Sequence, residues 1–209
     1  MKLSVMLAGA GVAAVLLSSA GSRAATITDS FATWAAAVGS YAATSSTGLG
    51  DGFSPVSSFP LSDGMVITFA GPVDSVYVSG TDWAPFADGY TGDVVDSSSN
   101  TDTISFASSV SALGFQVSPD LGLIPPQPDT ITVTLSDGTT DQFSGDYPSG
   151  TTQFVGFYGG GGITSITIST ANAGDFGVGQ FVDAPEPMSM TLLGTALAGM
   201  GWARRRFRG

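Results

Sequence analysis

The sequence predicts an all-β domain: an antiparallel two-sheet sandwich of jelly-roll type, with one short N-terminal helix. Three observations carry this. Runs such as "DTITVTL" (129–135) alternate apolar and polar residues with the period of two that a half-buried strand requires. Clusters of Gly, Ser, Asp and Pro break the chain at short intervals. About eight such runs in roughly 150 residues, with little helix between them, suit two packed sheets, with a closed barrel as the other solution.

Taken in order, residues 1–24 have the three parts of a secretory signal peptide. Lys2 is the positive start, Leu3 to Leu17 an apolar stretch too short for an ordinary span, and Ser22-Arg23-Ala24 a site for cleavage before Ala25. The Sec translocon and signal peptidase are the partners this implies. The domain then occupies 25–183. Ser30 caps a helix in which Phe31, Trp34, Ala35 and Val38 share one face, and Gly39 stops it. Such a helix is expected to pack over the end of a sheet.

Strands are expected at 64–70, 74–80, 102–107, 110–117, 129–145 (as a hairpin about Asp137-Gly138), 152–159, 164–170 and 176–182. Gly159 to Gly162 reads as a flexible connection between two of them. It is not a phosphate loop, because no Lys-Ser/Thr follows and the run opens a strand. Residues 80–101 form the longest stretch without a clear strand, an inserted loop of the kind that often carries function.

That loop holds two candidate sites. Asp88, Asp93, Asp96 and Asp102, with Asn100, are candidate Ca²⁺ ligands, since hard oxygen donors at irregular spacing suit this ion. Their spacing matches no EF-hand, and solvated turn aspartates would read the same way. Trp83, Phe86 and Tyr90 are candidate carbohydrate contacts, rings for stacking beside polar groups. Aromatics folded back over the edge of the sandwich are the alternative.

Charge narrows the function. All six basic residues lie at Lys2, Arg23, Arg204, Arg205, Arg206 and Arg208, so 25–187 contains no Lys, Arg, His or Cys. Loss of both ends removes every positive charge and takes the net charge from −11 to −17, or −16 if Glu186 also leaves. Such a body repels nucleic acid and anionic surfaces. It contains no Ser-His-Asp triad, Cys-His pair, Schiff-base lysine or histidine-ligated zinc. Catalysis is left with aspartate pairs, and neither Asp-Thr-Gly nor Asp-Ser-Gly occurs. No cysteine means no disulfide.

Residues 184–209 read "APEPMSMTLLGTALAGMGWARRRFRG". The uncharged stretch 188–203 would form a helix of about 24 Å against a bilayer core of about 30 Å. It is a weak transmembrane stop, with the arginines held on the cytoplasmic side. Pro185-Glu186-Pro187, the short apolar helix and Arg204-Arg205-Arg206 together resemble the PEP-CTERM sorting signal of exported Gram-negative bacterial proteins. Ala184 stands where that family more often has Val. The resemblance implies recognition of Pro185, Glu186 and Pro187 by exosortase, a membrane-embedded transpeptidase-like enzyme, in bacteria that make exopolysaccharide and biofilm.

The body resembles, more weakly, the β-sandwich modules of such proteins in "ISFASSVSALGFQV", "ITVTLSDGTTDQFSG", "QFVGFYGGGGITSITIST" and "FGVGQF". In the last, Gly179-Gln180 replaces an Asp-Asn pair. The expected function is that of an exported, non-enzymatic surface or matrix component, transiently held at the inner membrane and associated with exopolysaccharide. A carboxylate-dependent polysaccharide-degrading enzyme and a simple single-span surface protein are the alternatives.

Overall fold

The computed structural model describes residues 24–43, 57–61, 65–71, 73–78, 92–120, 127–147 and 152–184. The signal peptide, the helix expected at 188–203 and the greater part of the sorting segment lie outside them. Among the described residues, no helix is long and apolar enough to cross a membrane.

The chain runs β1 (Ala25–Thr28), α1 (Phe31–Val38), β2 (Ala42–Ala43), β3 (Ser58–Pro60), β4 (Val66–Phe69), β5 (Val73–Val78), β6 (Asp93–Ser97), β7 (Thr101–Asp120), β8 (Gln127–Leu135), β9 (Thr140–Tyr147), β10 (Gln153–Thr170) and β11 (Asp175–Asp183). Every pairing is antiparallel. The all-β architecture is therefore the one the alternation predicts.

Two long strands organise it, and here the structure corrects the expected breaks. Residues 101–120 and 153–170 are continuous strands, not pairs of strands joined by connections. The first half of β7 lies between β4 and the second half of β10, which pairs onward to β8 and β9. The second half of β7 lies between β11 and the first half of β10, with β6 and β5 beyond β11 and β1 beyond β10. Each long strand thus serves both layers of the sandwich and bends between them.

The bend is visible in which residues face inward. Ile104, Phe106 and Val110 are buried early in β7, and Leu113, Phe115 and Val117 later, so the inward parity switches as a bulge requires. In β10 the switch falls between Phe157 and Ile166, where the register shifts. Gly159, Gly160 and Gly162 make it with φ of 76°, 81° and 96°, a region closed to most side chains. The glycine run is a corner within a strand, and not a free connection.

One core fills the space between the layers. Ile104, Phe115, Val133, Phe157, Ile166 and Val178 all belong to it and are at most 1% exposed. Each such side chain contributes about 1.5–3 kcal/mol by leaving water. In β8 the expected faces hold: Ile131, Val133 and Leu135 point in, while Thr130, Thr132 and Thr134 bond to Ser144, Gln142 and Thr140 across the hairpin. Gly138 turns that hairpin at φ 87°. The expected loop at 80–101 is shorter than read, because Asp93–Ser97 form β6, paired on both sides by β5 and β11. Val94 and Val95 are both fully buried, so no period of two marks this strand.

Three aspartates are interior rather than solvated. Asp129, 2% exposed, accepts N–H bonds from Thr130, Ala171, Asn172 and Ala173 at 2.7–3.0 Å and so shapes the β10–β11 turn. Asp102, 4% exposed, accepts from Gly71 and Thr103. Asp96 is buried in β6. In a domain with no basic side chain, backbone amides take the place of cationic partners.

Candidate functional site

The outer face of the layer formed by β1, β10, β7 and β11 carries a second, smaller apolar cluster under helix α1. The helix forms as its sequence predicts. Ser30 Oγ accepts from the Thr33 N–H at 3.2 Å, and Gly39, at φ 77°, donates to the Ala35 carbonyl at 3.0 Å. Trp34 is fully buried beneath it, and its Nε1 donates to the Phe157 carbonyl at 3.0 Å.

A pair of glycines makes room for these rings. Gly156 and Gly114 face each other across β10 and β7. A Cβ on Gly156 would lie 2.6 Å from Trp34 Cδ1, and one on Gly114 would lie 2.7 Å from both Phe154 Cζ and Val182 Cγ2. The bare backbone is a trough in which Trp34 and Phe154 rest on the sheet.

Beside the trough lies a cavity of about 400 Å³, lined by Phe31, Tyr41, Ala43, Gln116, Phe154, Gln180 and Val182. Its aromatic wall is continuous. Phe31 meets Tyr41 and Phe154 edge-on, each at 5.4 Å between ring centres, and Trp34 stands 5.6 Å from Tyr41. Phe31 and Tyr41 are 40% and 44% exposed, the large apolar side chains most open to water among the described residues. The helix face thus keeps Trp34 inside but leaves Phe31 at the rim.

Gln116 and Gln180 are the polar residues of the lining. Gln116 stands opposite Gly179 of β11 and Phe154 of β10. Gln180 sits in a bulge where the β11–β7 register shifts between Gly179 and Val182. Its φ of 50° places a non-glycine residue in the left-handed region, at a cost of about 1–3 kcal/mol. Its Oε1 is buried and has no hydrogen-bond partner among the described residues, a further cost of about 1–3 kcal/mol. Strain, an unpaired acceptor and a bulge meet at one residue of a cavity wall, a combination common at binding sites. Gln180 is the non-glycine residue with positive φ among the described residues. Asp and Asn tolerate positive φ better than Gln does.

The residues expected from sequence fall elsewhere. Asp93 and Asp96 lie on β6 and Asp102 on β7, with the Asp102 carboxylate engaged by backbone amides. The carbonyl of Asn100 accepts from the Thr170 N–H. Among the described residues, no three acidic side chains converge where they could hold a metal ion. Asp88, Trp83, Phe86 and Tyr90 lie outside the described residues, as do Pro185, Glu186, Pro187, Arg204, Arg205 and Arg206. The cavity residues were missed because they are spread from 31 to 182 and meet only in the folded chain. The sole local signal was a glutamine at each of 116 and 180 within the otherwise apolar stretches 112–117 and 176–182.

Strand β11 ends at Asp183, which pairs with Ala42 and Leu113, and Ala184 is buried in the cluster with Trp34. There the sorting segment begins. Residues 183–206 match the PEP-CTERM protein-sorting motif. No curated protein matches the chain. The chain carries a PEP-CTERM protein-sorting motif, and with it the marking of an exported protein that exosortase processes after a transient stay at the membrane.

Proposed function

We propose that this protein is a non-enzymatic component of the cell surface or extracellular matrix, associated with exopolysaccharide once exosortase has acted on it. The observation that supports the reading is the sorting motif at 183–206, whose resemblance implies an origin in bacteria that make exopolysaccharide. The body's chemistry supports it. A domain without Lys, Arg, His or Cys lacks the usual nucleophile activators, and its aspartates at 102 and 129 are engaged by backbone amides.

Mass spectrometry of the C-terminus of surface-exposed protein tests the first half. Processing predicts loss of the segment containing Arg204 to Arg208, and its retention at the surface overturns the sorting step. Co-sedimentation with the producing cells' own polysaccharide tests the second half. Binding without release of reducing sugar is expected. Release that disappears on replacing one aspartate would make the protein an enzyme.

A further inference from the structure

We infer that the cavity between α1 and β11 is a binding site for a neutral saccharide, with Tyr41 and Phe31 as the stacking platform and Gln180 and Gln116 as the hydroxyl-reading groups. This deepens the matrix-association reading and rests on it.

The ligand class follows from what the walls offer. Two exposed rings in edge contact present an apolar surface of the kind that takes the C–H face of a ring. Carboxamides both donate and accept, as hydroxyl groups require of their partners. Gln180 Oε1 is buried without a donor, so a ligand hydroxyl meets it once the carboxamide turns toward the cavity. The terminal amide turns about a broad two-fold torsion, which lets a bound hydroxyl select its orientation. A purely aliphatic ligand would leave that oxygen unsatisfied. An anionic sugar is disfavoured as well, because no Lys, Arg or His exists between 25 and 187 to meet a carboxylate, and that stretch carries sixteen aspartates. A cavity of about 400 Å³ is within the range of small-ligand sites.

The test uses the full chain in a sugar-free zwitterionic detergent, titrated with cellotetraose, mannotetraose and tetragalacturonate and read by saturation-transfer NMR. At least one neutral tetrasaccharide is expected to bind at or below about 10 mM. Tyr41→Ala and Gln180→Gly should each weaken it about tenfold or more. Asp141→Asn, on the exposed edge strand β9, should leave it unchanged. Tetragalacturonate should show no saturable binding even at low salt. Gln180→Gly also guards against misfolding, since it removes backbone strain and should melt no lower than the parent.

Unchanged affinity in both cavity variants overturns the assignment, as does equal binding of the uronate. If Trp83→Ala abolishes binding and the cavity variants do not, matrix association stands and this site falls. If no saccharide binds and co-sedimentation also fails, both fall.

Discussion

The backbone N–H of Ala25 donates to Asp137 Oδ2 at 2.9 Å, joining the first strand to the tip of the β8–β9 hairpin across 112 residues of sequence. Ala25 is also where the sequence expects signal peptidase to leave a new terminus. After that cut the donor becomes an α-ammonium, a cation in a body that otherwise has none, already placed against a carboxylate. N-terminal sequencing of the exported protein should therefore begin at Ala25. A terminus several residues away would break the correspondence.

The same contact sets a pH dependence. The Ala25 amide, and then the Thr139 amide, hold the Asp137 carboxyl below its ordinary value. A depressed carboxylate stabilises the fold above its unfolded pKa of about 4 and loses that effect as pH falls through the folded value. Asp137 is exposed, so the effect is confined to the docking of β1. Amide exchange in 25–28 should quicken on acidification in the parent protein and be pH-insensitive, beyond the intrinsic rate, in Asp137→Asn.

Asp129 should behave as a structural anchor. Removing it takes the acceptor from three amides of the β10–β11 turn, Ala171, Asn172 and Ala173, and from the Thr130 amide of β8. Of these, Ala171 keeps a second bond to the Thr130 carbonyl. Asp129→Ala is expected to cost about 3 kcal/mol, lowering Tm by roughly 6–12 °C in calorimetry. Asp129→Asn, which keeps one acceptor, should fall between.

The glycine trough predicts overpacking. Gly156→Ala puts a methyl into Trp34 and should cost about 1–3 kcal/mol. Tm would fall, and displacement of Trp34 from its dry seat would shift indole emission to longer wavelength. A Tm equal to the parent's would mean that the rings are not seated as described.

Gln180→Gly should act in the opposite direction. Relief of the left-handed backbone and removal of a buried, unpaired oxygen outweigh the extra freedom of glycine in the unfolded chain. A net gain of about 1 kcal/mol raises Tm by roughly 2–4 °C. A lower Tm would show that the side chain stabilises the bulge.

What could be read from the sequence follows locality. The helix was legible from Ser30 to Gly39 because cap, face and stop are all local signals. The hairpin was legible for the same reason, with three inward residues and a turn glycine in one short run. The continuity of β7 and β10 was not, since a corner and a break use the same glycines and serines and differ only in whether pairing resumes beyond them. β6 escaped because a strand buried on both faces does not alternate. The cavity escaped because Phe31, Tyr41, Gln116 and Gln180 become neighbours only after the sheet has folded.

The end of β11 has a consequence for the order of events in export. The matched motif begins at Asp183, inside the sheet, and Ala184 is packed beside Trp34. One peptide step, about 3.8 Å between Cα atoms, leads from Ala184 to Pro185. The packed body thus ends one residue before Pro185. Unfolding would pay out slack there. Processing of the folded protein therefore requires the enzyme to reach the chain within one residue of the packed sheet.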